Sequence, residues 1–291
     1  MNGFALLHPI PCLLYYIGAV VLGMMLFHPL FLLTAVLLLI ILNGFHDGGR
    51  RLRANWRPFL LMTGFVAIMN PLFSHRGSHI LFYLFDRPVT LESVAYGLMM
   101  MLSLQVIVLV CMSYNAVITP DKFFYLFGRM APQTVLLCMM TFRFVPLLKQ
   151  RYEEIALVQR TRGIHVGQGS LRSRMRSGMR LLYILLTWSL EEGLHTADSM
   201  KGRGYGTGAR SSYTPYRMDR TDRIMIGLLL LTGIGCLLGR SYGYGVFPVY
   251  PRLGTWDFSV GHALVYGLFF LFLSLPIVIE GKEWWQWRSW K

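Results

Sequence analysis

Long apolar runs with charge at most at their ends, separated by segments rich in arginine, constrain this chain more than any other feature. A bilayer core needs roughly 20 apolar residues per helix, with about 17 to 25 tolerated. Runs of this kind fall at 12–27, 29–42, 58–73, 92–114, 224–239 and 262–280. The first two form one stretch broken at His28-Pro29, too long for a single crossing at about 1.5 Å per residue. Two short tilted helices joined by a proline turn fit it better than one. With 54% hydrophobic and 14% charged residues and a mean hydropathy of +0.47, lipid rather than water is the expected solvent. Met1 to Pro11 has no basic start and no small-residue cleavage site, so the first apolar run is expected to remain in the protein.

The net charge of +14 raises the question of nucleic acid, and the placement of the charge answers it. Basic residues in short loops between membrane spans bias those loops to the cytoplasm. If each run crosses once, the segments 43–57, 115–223 and 281–291 lie on one side. They carry 4, 17 and 3 basic residues, 24 of the 28 in the chain. Arg76, Arg87, Arg240 and Arg252 fall on the other side. The basic segments are therefore placed on the cytoplasmic side of the membrane, with both termini cytoplasmic. Membrane lipids are expected partners and nucleic acid is not. The tail Trp284-Trp285-Gln286-Trp287-Arg288-Ser289-Trp290 reads as an interfacial anchor, because indole rings prefer the headgroup layer.

These observations predict an all-α polytopic fold of about six transmembrane helices in three parts. Residues 1–114 hold the N-terminal spans, 115–223 a cytoplasmic domain of amphipathic helices, and 224–291 the C-terminal spans and tail. Within the middle part, Lys122 to Met130 reads as a short amphipathic piece after Pro120-Asp121. Gln133 to Arg162 and Ser177 to Lys201 read as two longer helices, each an apolar stem with a polar end, separated by a basic loop holding Arg172, Arg174 and Arg176. The stems end in Arg160-Thr161-Arg162-Gly163 and Lys201-Gly202-Arg203-Gly204. Glycine is the expected stop, since it takes the left-handed conformation without Cβ strain. Two basic helix tips of this kind suit insertion into grooves of another protein, because guanidinium offers several directed hydrogen bonds. Plain helix caps facing lipid phosphates fit the same spacing.

At these residues the chain resembles the transmembrane T component of energy-coupling-factor transporters, the EcfT/CbiQ family. In that family two Ala-Arg-Gly or Ala-Arg-Ser signatures end two cytoplasmic coupling helices. Gln159-Arg160-Thr161-Arg162-Gly163 looks like the first and Met200-Lys201-Gly202-Arg203-Gly204-Tyr205 like the second. Leu7-His8-Pro9, Asn70-Pro71-Leu72 and Arg143-Phe144-Val145-Pro146 also fit the family pattern. Thr161 and Gly202 stand where the family usually has alanine; both are small, and Gly202 should loosen its turn by up to about 1 kcal/mol. The 262–280 span looks like an addition to the shortest family pattern. The resemblance implies a non-catalytic subunit of an ATP-driven importer for vitamins or transition metals such as cobalt or nickel. Two ABC ATPase subunits would bind Thr161, Arg162, Gly163, Gly202, Arg203 and Gly204, and a separate membrane subunit would bind the substrate.

Several other chemistries lack their residues. No Gly-x-x-x-x-Gly-Lys-[Ser/Thr] phosphate loop occurs, so the chain is not expected to hydrolyse ATP. No cofactor or metal is expected: the eight His include no His-x-x-x-His pair, and Cys12, Cys111, Cys138 and Cys236 lie far apart in apolar stretches, where they read as small core residues. Ser241-Tyr242-Gly243-Tyr244-Gly245 lacks the Thr-Val of a potassium filter. Glu153-Glu154 and Glu191-Glu192 are adjacent pairs that do not face one another on a helix, and they read as salt-bridge partners of nearby arginines. The alternatives are a stand-alone secondary transporter or a membrane enzyme. The first needs ionisable groups deep in its spans, and the six runs contain no Asp, Lys or Arg, with Glu92 and Glu280 at boundaries. The second needs a converging acid, base or metal cluster, which the sequence does not suggest.

Overall fold

The computed structural model describes residues 3–74, 77–84, 87–128, 130–162, 170–208, 216–250, 254 and 259–289. Helices dominate it, and the chain is an all-α polytopic membrane protein. Two units cluster separately: residues 1–123 together with 216–291, and residues 124–215.

The first unit starts with α1 (Gly3–Leu6), α2 (Pro9–Met25), α3 (Pro29–Asp47) and α4 (Arg50–Phe73). His8 and His28 sit at the N-caps of α2 and α3, each Nδ1 accepting a backbone N–H two residues on at 3.3 Å. Proline follows each at the first helical position, where it has no hydrogen bond to lose. The break expected at His28-Pro29 is therefore a real helix junction. α3 ends at Gly48 and α4 begins after Gly49, both with positive φ (59° and 74°). After α4 comes an antiparallel hairpin of β1 (Ile80–Leu84) and β2 (Arg87–Thr90), then α5 (Leu91–Val117) and α6 (Pro120–Phe127), whose first residues close this half of the unit. The chain re-enters the unit before α9 (Arg220–Ser241) and α10 (Val260–Ser289).

Among the described residues, four helices are long and apolar enough to cross a membrane: α5, α9, Pro29–His46 of α3 and Val260–Lys282 of α10. The remaining two expected spans fall short by that measure. α2 is apolar but has 17 residues, and α4 spends its first turns on Arg50, Arg51, Arg53 and Arg57 before its apolar part begins. α10 runs on to Ser289, but the side chains of the Trp-rich tail lie outside the described residues.

α5 is the hub of the first unit, packing against α2, α3 and α4, while α10 packs against α3 and α9. Gly97 of α5 permits the α4 contact, since a Cβ there would stand 2.8 Å from the Ala67 carbonyl oxygen. The core is aromatic: Tyr15 stacks on Phe272 at 5.6 Å between centroids, and Phe31 meets Tyr266 edge-on at 5.2 Å. A buried polar chain ties four helices together. Tyr16 Oη lies 2.8 Å from Ser113 Oγ, which lies 3.1 Å from His46 Nε2, and His46 Nδ1 stands 3.4 Å from Glu280 Oε1. The Phe4 N–H also donates to Glu280. Glu280 closes the 262–280 run, and an acid at that boundary is best satisfied inward, on partners from other helices. Glu92 is likewise fully buried, accepting from the Ser78 hydroxyl (2.9 Å) and the Ser78 and His79 N–H groups, which fastens the segment before the hairpin to the start of α5. Outside this core the surface is apolar, with Leu37, Phe65, Leu231 and Leu264 all more than half exposed. Such a surface suits lipid.

Of the four cysteines expected in the core, Cys12 and Cys236 are buried, whereas Cys111 is exposed and Cys138 half-buried. Cys111 belongs to the outward face of α5, and an apolar run carries no sign of which of its faces meets protein.

Candidate functional site

The second unit contains α7 (Pro132–Thr161), which has the expected extent to within one residue at each end, and α8 (Leu171–Gly202), which begins earlier than expected. Thirty and 32 residues make helices of about 45 Å and 48 Å. Pro132 opens α7 at its first position. Ser170 caps α8, its hydroxyl accepting the Ser173 N–H at 3.4 Å. Arg172, Arg174 and Arg176, expected in a loop, are therefore helical. A serine N-cap followed by good helix formers continues the helix one and a half turns upstream of the apolar stem, and the charge density hid that start.

The two helices meet through Trp188. Its ring stacks on Phe144 at 5.9 Å and 17°, and the Arg151 guanidinium carbon lies 5.1 Å from its centroid. Arg151 also reaches Glu154 at 2.7 Å. Both partners are largely exposed, so that pair adds little stability. Phe144 and Arg151 stand 17 and 10 residues before Thr161, and Trp188 stands 14 before Gly202. Each helix thus runs about 20 Å beyond the crossing to its C-terminus.

The helix ends are built alike. Arg162 caps α7 with φ −87° and ψ 10°, and Arg203 caps α8 with φ −87° and ψ 7°. Thr161 turns its hydroxyl back onto the Val158 carbonyl at 2.7 Å, which satisfies one of the terminal acceptors. Gly163 lies outside the described residues. Beyond Arg203 the stop is complete: Gly204 has φ +80°, its N–H donates to Lys201 O at 2.9 Å, and the Tyr205 N–H donates to Met200 O at 3.0 Å. That double bond pattern around a left-handed glycine is the Schellman arrangement. Around Gly202 nothing lies within 4 Å of where a Cβ would be, so the site has room for alanine. Thr161, Arg162, Gly202, Arg203 and Gly204 are all exposed. The ends therefore present guanidinium groups free to meet a partner's acceptors.

Three residues at the crossing, Phe144, Arg151 and Trp188, define how the tips are carried, and of these only Phe144 fell within a motif singled out in the sequence. Trp188, a large ring at the end of the apolar stem of α8 just before Glu191-Glu192, is the signal that could have marked the other two. Of the adjacent acid pairs, Glu154 is held by Arg151, while Glu191 has His195 at 4.0 Å rather than an arginine. Among the described residues no group of three or more His, Cys, Asp or Glu comes together in a way that could hold a metal ion.

Comparison with known proteins gives the family. The family model described as cobalt transport protein, CbiQ, matches residues 6–215. An energy-coupling factor transporter transmembrane protein EcfT of Lacticaseibacillus paracasei is 33% identical over 108 residues, 36% of this chain and 41% of the relative. EcfT of Bacillus selenitireducens is 28% identical over 112 residues, 38% of this chain and 42% of its own. EcfT 1 of Listeria monocytogenes is 24% identical over 198 residues, 64% of this chain and 73% of the relative. The chain thus spans about two fifths of the length of the first two. Because the family match runs from the N-terminal turn through the whole of α7 and α8, this chain belongs to the CbiQ/EcfT family of membrane transport proteins.

Proposed function

We propose that this chain is the non-catalytic transmembrane coupling subunit of an energy-coupling-factor importer. Two ABC ATPase subunits grip the ends of α7 and α8 at Thr161, Arg162, Gly163, Gly202, Arg203 and Gly204. A separate membrane subunit, which binds a vitamin or a transition metal, rests on the apolar stems of the same two helices, which in α8 is the part that follows Leu182. The orientation places residues 115–223 and both termini in the cytoplasm, on the 24-to-4 division of basic residues.

The observation that carries the reading is the pair of matched ends. Two helices that meet at Trp188, each with an Arg cap of the same backbone conformation about 20 Å beyond that contact, would act as a scissor. Closure of an ATPase pair around two such tips rotates the stems about Trp188 and moves whatever rests on them. Arginine suits the tips because its planar fork makes several directed bonds and keeps its charge when covered.

Substrate uptake and ATPase co-purification test the assignment at matched expression. Arg162→Ala or Arg203→Ala removes charge-assisted bonds of about 2–5 kcal/mol at a buried contact, and should uncouple transport or release the ATPases while membrane insertion stays normal. Arg→Lys at either tip should rescue incompletely. Arg174→Ala, away from the tips, should cost about 1 kcal/mol at most. Equal, mild defects in all three alanine variants would sink the proposal.

A further inference from the structure

α8 does not carry its charge evenly. Arg172, Arg174, Arg176 and Arg180 fall within its first ten residues, and the first acid is Glu191. All four arginines are exposed, and among the described residues none is paired with a carboxylate. Beside them runs an apolar stripe, Leu171, Met175, Met179 and Leu182, exposed by 77%, 71%, 65% and 51%. Steps of four, four and three residues keep that stripe on one face of the helix. Leu181 and Trp188, which are seven residues apart, lie on a different face, where Leu181 is buried and Trp188 meets α7.

We infer that the first three turns of α8, Leu171 to Leu182, form a docking surface for anionic lipid headgroups, with the stripe dipping into the acyl boundary and the arginines on phosphates. Charge complementarity selects this occupant. A basic helix with a solvent-facing apolar stripe is what partitions onto a negatively charged leaflet. The later part of α8 carries Glu191, Glu192 and Asp198, which such a leaflet repels. One helix is thereby divided: its start attaches to lipid and its end is left to swing. The inference rests on the inward orientation proposed above.

The full chain, with Cys111→Ser and Cys138→Ser, is reconstituted in phosphatidylglycerol-containing or purely phosphatidylcholine vesicles. A nitroxide is attached singly at Met179→Cys or Leu194→Cys. Collision with oxygen against a water-soluble nickel chelate reads immersion. The label at 179 should be immersed in the anionic vesicles and in water in the zwitterionic ones, while the label at 194 should not respond to lipid charge. Each basic side chain strengthens attachment about fivefold. Arg172→Gln, Arg174→Gln, Arg176→Gln and Arg180→Gln together should therefore return label 179 to water. The fourfold Arg→Lys variant should keep it immersed, because a leaflet reads charge rather than fork geometry. Equal immersion in both lipids would overturn the inference, as would protection from both collision reagents in the assembled transporter, which would make the face a protein interface. A membrane-impermeant thiol reagent applied to intact cells separates the two readings: external labelling of Met179→Cys would sink the orientation itself, whereas internal location without lipid dependence would sink the docking surface alone.

Discussion

The two units solve burial in opposite ways. In the first, aromatic and aliphatic side chains interlock, and Tyr15, Phe31, Leu109 and Phe269 are almost wholly buried. Its polar groups turn inward onto each other, as in the Tyr16, Ser113, His46 and Glu280 chain. In the second, Gln159 and Leu181 are the only buried positions among the described residues. Leu137, Phe142, Leu157, Leu190 and Leu194 lie on its surface. A membrane unit can leave apolar surface outward because lipid covers it. A pair of helices with little core of its own draws further stability from whatever covers its faces. Movement is thus easiest where the chain buries least, which suits the coupling role proposed for that unit.

The sharpest break of this comparison uses one leucine from each unit. Leu109→Ala, in the packed hub helix, should cost about 2–5 kcal/mol through the cavity it leaves. Leu190→Ala, 71% exposed, should stay within about 0.5 kcal/mol in the isolated chain. Chemical unfolding of both in detergent decides it. If Leu190→Ala proves as damaging as Leu109→Ala without partners present, the second unit has a core that its exposed surface denies.

A smaller effect is expected at the crossing. Trp188→Ala removes a stacked aromatic partner and a cation–π contact, together worth about 1–2 kcal/mol. Spin labels on α7 and α8 should then show a broader distance distribution, while helix content stays the same. An unchanged distribution would mean that the helices are held elsewhere than at Trp188.

The smallest effects concern the α8 stop. Gly204→Ala forces a Cβ into a left-handed residue and should loosen the cap by about 1 kcal/mol. Gly202→Ala meets no neighbour and should tighten the last turn by up to about 1 kcal/mol. Amide exchange at Tyr205 should quicken in the first variant and slow in the second. The same direction of change in both would contradict the left-handed stop.

Much of this was legible in the chain because it depends on near neighbours. Apolar runs of span length, the proline break at His28-Pro29 and the glycine after the stem of α8 are local patterns with local causes. The Schellman stop at Gly204 follows from glycine's lack of a Cβ, whatever the helix packs against. The extent of α8 was less legible, since an arginine-rich segment reads as loop unless the Ser170 cap is weighed. The hairpin at Ile80–Thr90 was likewise not anticipated, because its fixing point, Glu92, lies outside it and works through Ser78 and His79.

By itself, the sequence determined that this chain is helical, belongs in lipid and ends two amphipathic stems in Arg and Gly, for each follows from composition or from spacing within a few turns. Only the tertiary structure decided which apolar faces are shared and which are left bare. It set Cys111 outward and Cys12 inward, brought His46 onto Glu280 across 234 positions of chain, and chose Trp188 as the crossing of α7 and α8. Those outcomes depend on contacts between segments distant in sequence, and helical periodicity specifies a face without naming its neighbour.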